Sequence, residues 1–172
     1  MVRTTNIFDN LEQLGTGVRF ISTMADMLER ADMFTDLTRQ EVETIAGFTQ
    51  AYSAAAGTTV LSEGGKESYM FVVAEGKINI RKEGADYKTT KKLATVRAGK
   101  TIGEMSLLDG MPHSATAVVV EPAKLLMITR SHFEKFTHDH PELALKLVLK
   151  ISALMSLRLR RTSGVLVDYL QD

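Results

Sequence analysis

The chain has no cysteine in its 172 residues. That excludes a disulfide framework, thiolate metal sites and a cysteine nucleophile, and it leaves the redox compartment open. An excess of one charge is also missing. Lys plus Arg number 21 and so do Asp plus Glu, so no global field recruits nucleic acid or an anionic membrane. The first residues, MVRTTNIFDN, lack an apolar h-region, which argues against a secretory signal. The most apolar long stretch, Leu143 to Leu159, carries Lys146 and Lys150 and reads as a buried helix, not a membrane span. The expected location is therefore cytoplasmic, with no membrane partner. Hydrophobic residues at 44% and charged residues at 24% are ordinary for a soluble globular protein.

The first third reads as helical. Ile7, Leu11 and Leu14 lie at helical spacing before Gly15 and Gly17 interrupt; Met24, Met27, Leu28 and Ala31 form a second stripe. Thr38 and Glu41 in TRQE predict a capping box, with Val42 and Ile45 as the apolar face behind it. Character changes near Phe48. From there to Arg130, glycines punctuate short runs of strand composition: TTVLS (58–62), YMFVVA (69–74), KINIRK (77–82), KLATVR (92–97), ATAVVV (115–120) and LLMIT (125–129). ATAVVV is apolar throughout and is expected to be covered on both faces. KEGADYKTTKK (82–92) reads as the polar tip of a hairpin. Many short strands with glycine turns predict a sandwich, barrel or jelly roll.

Helix returns at SHFEK, where Ser131 and Glu134 predict another capping box with Phe133 and Phe136 facing inward. Pro141 suits the first turn of a last helix, expected to run to about Ser163 with Gly164 as its stop. Its apolar arc is too wide for a small roll to cover. One face is expected to pack on the roll and another on a second copy, giving a homodimer through helix 141–163. The alternative cover is Ile7 to Ile21 of the same chain. The implied organisation is an N-terminal helical segment (1–30), a domain (31–164, roll about 48–130 and C-terminal helices 131–164) and a tail (165–172).

IGEMSLLDGMPHSATA (102–117) stands between two strands and is too short and broken to be either element. Gly103 permits a turn or close approach. Glu104 starts a helical turn, Met105, Leu107 and Leu108 supply its buried side, and Asp109-Gly110 ends it. Amides at its start form an anion cradle. A carboxylate beside a phosphate is unfavourable unless it has another task, such as accepting from a sugar hydroxyl. No structural purpose for Glu104 is evident in the sequence, and a buried acid is costly without a partner. Ser114 and the Ala115 amide add donors for a phosphate.

These residues resemble the phosphate-binding cassette of the cyclic nucleotide-binding domain family, whose usual pattern is G-E-x-[AS]-L…P-R-[SA]-A-T. The resemblance runs from about Leu28 to Arg161. It takes in VVAEGKINI before the cassette, ITRSHFEKF after it and HPELALKL opening the last helix. It is similar in extent to the ligand-binding domain of catabolite activator-type proteins, without their DNA-binding domain. It implies a mainly β fold, a β-roll (jelly roll) with flanking helices and a long C-terminal helix. It implies cAMP or cGMP as ligand, Glu104 on the ribose 2′-hydroxyl, and a phosphate on the amides near Met105 and Ser106, with Ser114 and Ala115; the expected dock for the phosphate is the amides of residues 103 to 106 and Ser114, assisted by His113. It further implies that the last helix closes over the base.

One position departs from the pattern: His113 stands where the family has arginine. Arginine offers a permanent charge and a bidentate fork, whereas histidine is mostly neutral near pH 7. A hydrogen bond to a charged group contributes roughly 1.5 to 3 kcal/mol, so the change weakens binding by about ten- to a hundredfold if His113 faces the phosphate. Three outcomes stay open: weaker, pH-dependent phosphate binding; another ligand; or a scaffold that has lost its ligand and serves as a protein-interaction module.

Other constellations read as structural. His138 and His140 have ligand spacing but no third ligand nearby. No catalytic triad is discernible, so no enzyme activity is expected. RLRR (158–161) suits the end of a helix dipole. Only Val165 to Asp172 follow the long helix, too few for a helix-turn-helix, so DNA is not an expected partner. The sequence thus predicts a stand-alone regulatory module that senses a cyclic nucleotide and signals to a partner protein by movement of its C-terminal helices, without a metal or other cofactor.

Overall fold

The computed structural model describes residues 10–84 and 89–170, with side chains to 167 in the last helix. Its elements, in order, are β1 (Glu12–Gly15), α1 (Ile21–Leu28), α2 (Arg39–Ala46), β2 (Gln50–Ala54), β3 (Thr59–Leu61), β4 (Tyr69–Glu83), β5 (Thr90–Arg97), β6 (Thr101–Ile102), α3 (Glu104–Asp109), β7 (Thr116–Thr129), α4 (Arg130–Asp139) and α5 (Pro141–Leu170). The strands form one antiparallel sheet in the order β1-β2-β7-β4-β5, with β3 added to β7 and β6 to β4. This is the mainly β roll with flanking helices and a long C-terminal helix that the sequence predicts.

Alternation along β4 divides the core in two. Tyr69, Phe71, Val73 and Ile78 face the interior of the roll with Ala117, Val119 and Leu125 of β7. Met70 and Val72 face the other way, against Met24, Leu28, Phe34, Phe133, Phe136, Leu147 and Ile151 from the helices. YMFVVA is therefore apolar without a break because both of its faces are covered. The Thr38–Glu41 capping box is present.

Several local expectations are corrected. YMFVVA and KINIRK form one strand, β4, and ATAVVV and LLMIT form another, β7. Gly76 is a bulge within β4, not a turn between strands: its φ is +93°, and a Cβ there would lie 2.4 Å from the Pro122 carbonyl oxygen. ATAVVV is covered on one face only, with Ala117 and Val119 buried and Val118 and Val120 half-buried. Residues 12–15 form an edge strand on β2 instead of helix. The free edge of β2 supplies backbone partners that so short a segment cannot make for itself as helix. Ile7 and the hairpin-tip residues 85–88 lie outside the described residues.

The helical end differs too. The N-cap of α4 is Thr129, whose hydroxyl accepts from the His132 amide. Ser131 lies inside the helix, and Glu134 pairs with Arg130. α5 runs through Gly164 to Leu170. An interior glycine costs a helix about 1 kcal/mol and does not by itself end one. Arg158 to Arg161 therefore lie within α5 and not in its last turn. Leu143, Ala144, Leu147 and Ile151 are buried, while Leu145, Leu149, Leu157 and Leu159 are exposed. No described helix is long and apolar enough to cross a membrane.

Candidate ligand-binding site

The cassette is held by backbone geometry that only its glycines accommodate readily. β6 pairs Thr101 with Val72 and Ile102 with Phe71. Gly103 then turns the chain with φ +85° as the N-cap of α3, and Gly110 ends α3 with φ +69°. A Cβ on Gly103 would lie 2.6 Å from the Tyr69 carbonyl oxygen. The turn is thus clamped directly onto β4, and α3 starts against the sheet.

Glu104 is only 2% exposed. It has partners that the sequence did not suggest. The Thr101 hydroxyl donates to Oε1, and Nη1 of Arg158 donates to Oε2 at 2.9 Å. Nη2 of the same guanidinium donates to the Thr101 carbonyl at 2.9 Å. One arginine of α5 therefore ties the cassette acid and the strand before it to the last helix. The expectation that Glu104 lacks a structural role is corrected here: its carboxylate is paired. A carboxylate has about four acceptor sites, so these two bonds leave room for a further donor. Arg158 is itself 45% exposed by its side chain and borders a groove of about 240 Å³ lined also by Asp32, Met33, Lys100, Lys150 and Leu154.

The other predicted residues divide by burial. Ser106 is 2% exposed, and its hydroxyl has no protein partner. Met105 is exposed, its sulfur 3.9 Å from the Ser114 hydroxyl. Ser114 is exposed and Ala115 half-buried. The Ser114 carbonyl accepts from Lys82 at 2.7 Å, and Lys82 also pairs with Glu63 at 2.6 Å. Arg130 reaches the carbonyls of Leu107 and Leu108 at the end of α3.

His113 is 5% exposed. Its backbone exchanges hydrogen bonds with the Gly64–Gly65 turn. Its ring meets the Tyr69 ring in a T-shaped contact at 4.9 Å. Burial lowers its pKa below the usual histidine value, opposed by a hydrogen bond to the Glu67 backbone. Neutral imidazole has one N–H. Nε2 of His113 has no protein partner. Burial likewise pushes the Tyr69 phenol up; its hydroxyl donates to the Val60 carbonyl.

Gly103, Glu104, Met105, Ser106, His113, Ser114 and Ala115 are thus brought to one turn-helix-turn segment on the roll. Sequence reading missed Arg158, Thr101 and Lys82. Arg158 was assigned to the helix dipole, and the one available signal was the buried acid's need for a cation. Among the described residues no group of three or more metal-ligating side chains occurs.

The cyclic nucleotide-binding domain profile matches residues 52–140. The chain is 30% identical over 135 residues to the cyclic AMP receptor protein of Thermus thermophilus, covering 77% of this chain and 59% of that protein. It is 28% identical over 112 residues to a cGMP-dependent protein kinase of Caenorhabditis briggsae, covering 65% of this chain and 14% of the kinase. The chain thus spans less than two thirds of these relatives' length. Among solved structures, a cyclic nucleotide-binding domain from Methylobacillus flagellatus superposes with a TM-score of 0.82 at 25% identity, covering 96% of this chain and 93% of that one. The catabolite activator protein of Thermus thermophilus gives 0.70 at 27% identity, covering 81% and 62%.

Proposed function

The chain belongs to the cyclic nucleotide-binding domain family, and from that premise we propose that it is a regulatory module that binds cAMP or cGMP and reports occupancy through α5 to a partner protein. The observation that carries this reading is the Glu104–Arg158 bond, which joins the cassette acid to the last helix. The amides from Gly103 to Ser106 and the Ser106 and Ser114 hydroxyls receive the phosphate, with Ala115 small enough to let it close in. Glu104 accepts from a ribose hydroxyl at the acceptor sites that Thr101 and Arg158 leave free. Any shift of the carboxylate pulls Arg158 and with it α5, so the two states of the helix differ in their affinity for ligand. His113 contributes the packed wall against Tyr69.

Besides that partner protein, α5 is proposed to meet a second copy of the chain. Leu145, Leu149, Ser152, Ser156, Leu159, Ser163 and Leu166 are all exposed and recur at alternating steps of four and three, the spacing of a coiled-coil seam. This supports a homodimer through the last helix.

A second reading, a scaffold that docks proteins without nucleotide, is favoured by the neutral, buried His113 in the place of the family's arginine. Calorimetric titration with cAMP and cGMP separates the two. Binding by the wild-type chain, weakened roughly tenfold or more by Glu104→Gln, is the expected result. No heat with either nucleotide at millimolar concentration refutes the sensor and leaves the scaffold.

A further inference from the structure

His113, in the place of the family's arginine, is buried with its ring packed against Tyr69, so it offers no exposed cation where a phosphate is expected. The hairpin of β4 and β5 brings cations there instead. Lys82 stands directly across from Lys91, and Arg81 from Lys92. Like charges directly opposite one another are destabilising, so the register has a cost that invites an explanation.

The two pairs lie on opposite faces. β4 alternates without interruption from Ile78 to Arg81 in its pairing with β7; its pairing with β5 shifts between Ile80 and Arg81, where Leu93 is left without a partner on β4, and resumes with Arg81 opposite Lys92 and Lys82 opposite Lys91. Ile78 and Ile80 belong to the interior of the roll, so Lys82 and Lys91 lie on that interior face, and Arg81 and Lys92 on the outer one. Lys82 is in direct contact with the cassette, through the Ser114 carbonyl. Two of its three N–H groups are used, on Ser114 and Glu63, and the third is uncommitted. Lys91 has no ion-pair partner among the described residues. Lys82, Lys91 and Glu63 together carry one net positive charge. A cyclic phosphodiester carries one negative charge.

We propose that Lys82 and Lys91 supply the positive charge that meets the nucleotide phosphate in this chain, in place of the residue after Pro112. The inference rests on the nucleotide-binding reading above and names the groups that select an anion at that site. Glu63 orients Lys82, and Ser114 places its ammonium beside the segment that carries the phosphate donors. Lys91 adds attraction from across the strand pair and is relieved of its like-charged neighbour when the anion arrives.

The test is calorimetry of the full chain with cAMP and cGMP. Lys82→Gln is expected to weaken binding about tenfold or more, and Lys91→Gln about two- to threefold, as suits an exposed charge. Lys82→Arg keeps charge and carbonyl contact and is expected to bind like wild type, which guards against a folding defect in Lys82→Gln. Arg81→Gln and Lys92→Gln, on the outer face, are expected to bind within about twofold of wild type. Equal losses from inner and outer variants, or wild-type binding by both Lys82→Gln and Lys91→Gln, overturn the assignment while leaving the nucleotide reading intact. A wild-type chain that binds neither nucleotide overturns both.

Discussion

Replacing Arg158 by methionine isolates the bond between the cassette and α5. Methionine keeps an apolar stem along the groove beside Leu154 and removes both hydrogen bonds, to Glu104 and to the Thr101 carbonyl. Stripping the partner from a buried charge costs about 3 to 5 kcal/mol. Glu104 is 2% exposed but Arg158 is 45% exposed, so water enters the vacated side and screens part of the loss. Thr101 still donates to Oε1. The expected cost is therefore about 2 kcal/mol, a fall in melting temperature of roughly 4 to 8 °C for a chain this size. Circular dichroism during thermal unfolding reads it. In the Glu104→Gln background the same substitution is expected to cost at least about 1 kcal/mol less, because a neutral amide is not left as a stranded charge. Unfolding of Arg158→Met within about 0.5 kcal/mol of wild type, or strict additivity in the cycle, refutes the bond's role. Amide exchange adds a functional readout. If Arg158 transmits occupancy, nucleotide alters exchange in the second half of α5 in wild type and not in Arg158→Met.

Three further outcomes follow from the geometry. Burial depresses the pKa of His113, so the unfolded chain takes up this proton first as pH falls. The stability contribution is full above the unfolded value of about 6.5 and drains away as pH drops below it toward the folded value. Urea midpoints at about pH 7.5 and pH 5.5 should differ more in wild type than in His113→Gln, and equal differences refute the shift; the lowered carboxylates Asp36, Glu41, Glu63 and Asp139 titrate below that window. Gly103→Ala combines left-handed strain with a Cβ 2.6 Å from the Tyr69 carbonyl and should cost roughly 2 to 4 kcal/mol. Gly57→Ala has similar φ but open space and should cost only about 1 to 2, so equal losses in chemical denaturation defeat the clamp. Leu159→Glu puts a charge in the seam of α5 and should halve the mass measured by light scattering; a wild-type chain that is already monomeric at micromolar concentration removes the seam from consideration.

What could be read ahead of the structure was what a short segment determines for itself. Gly103 and Gly110 bracket α3 because both take left-handed φ, and the cassette's spacing carried that information. Thr38 and Glu41 cap α2 for the same local reason. Boundaries failed where two neighbours offered the same chemistry. Thr129 and Ser131 are both hydroxyls near the start of α4; Thr129 caps because β7 delivers it in extended conformation, with ψ 157°. Gly76 looked like a turn because its glycine signal is the same in a bulge, and only the crossing of Pro122 distinguishes them.

The polar contacts that give the site its character were out of reach for a different reason. Arg158 lies 54 residues from Glu104 in sequence, and Lys82 lies 32 from Ser114. Periodicity assigns a residue to a face but does not say which partner it meets across the core. Charge shows the same limit at another scale. A net charge of zero excludes a field over the whole molecule, yet strand register sets Lys82, which touches the cassette through the Ser114 carbonyl, opposite Lys91. Neutrality of the chain and a local pair of cations are compatible, because a local anion responds to charges within about a Debye length and not to the sum. A ligand reading that rests on the residue after Pro112 alone therefore leaves out the cations that the fold delivers to the same place.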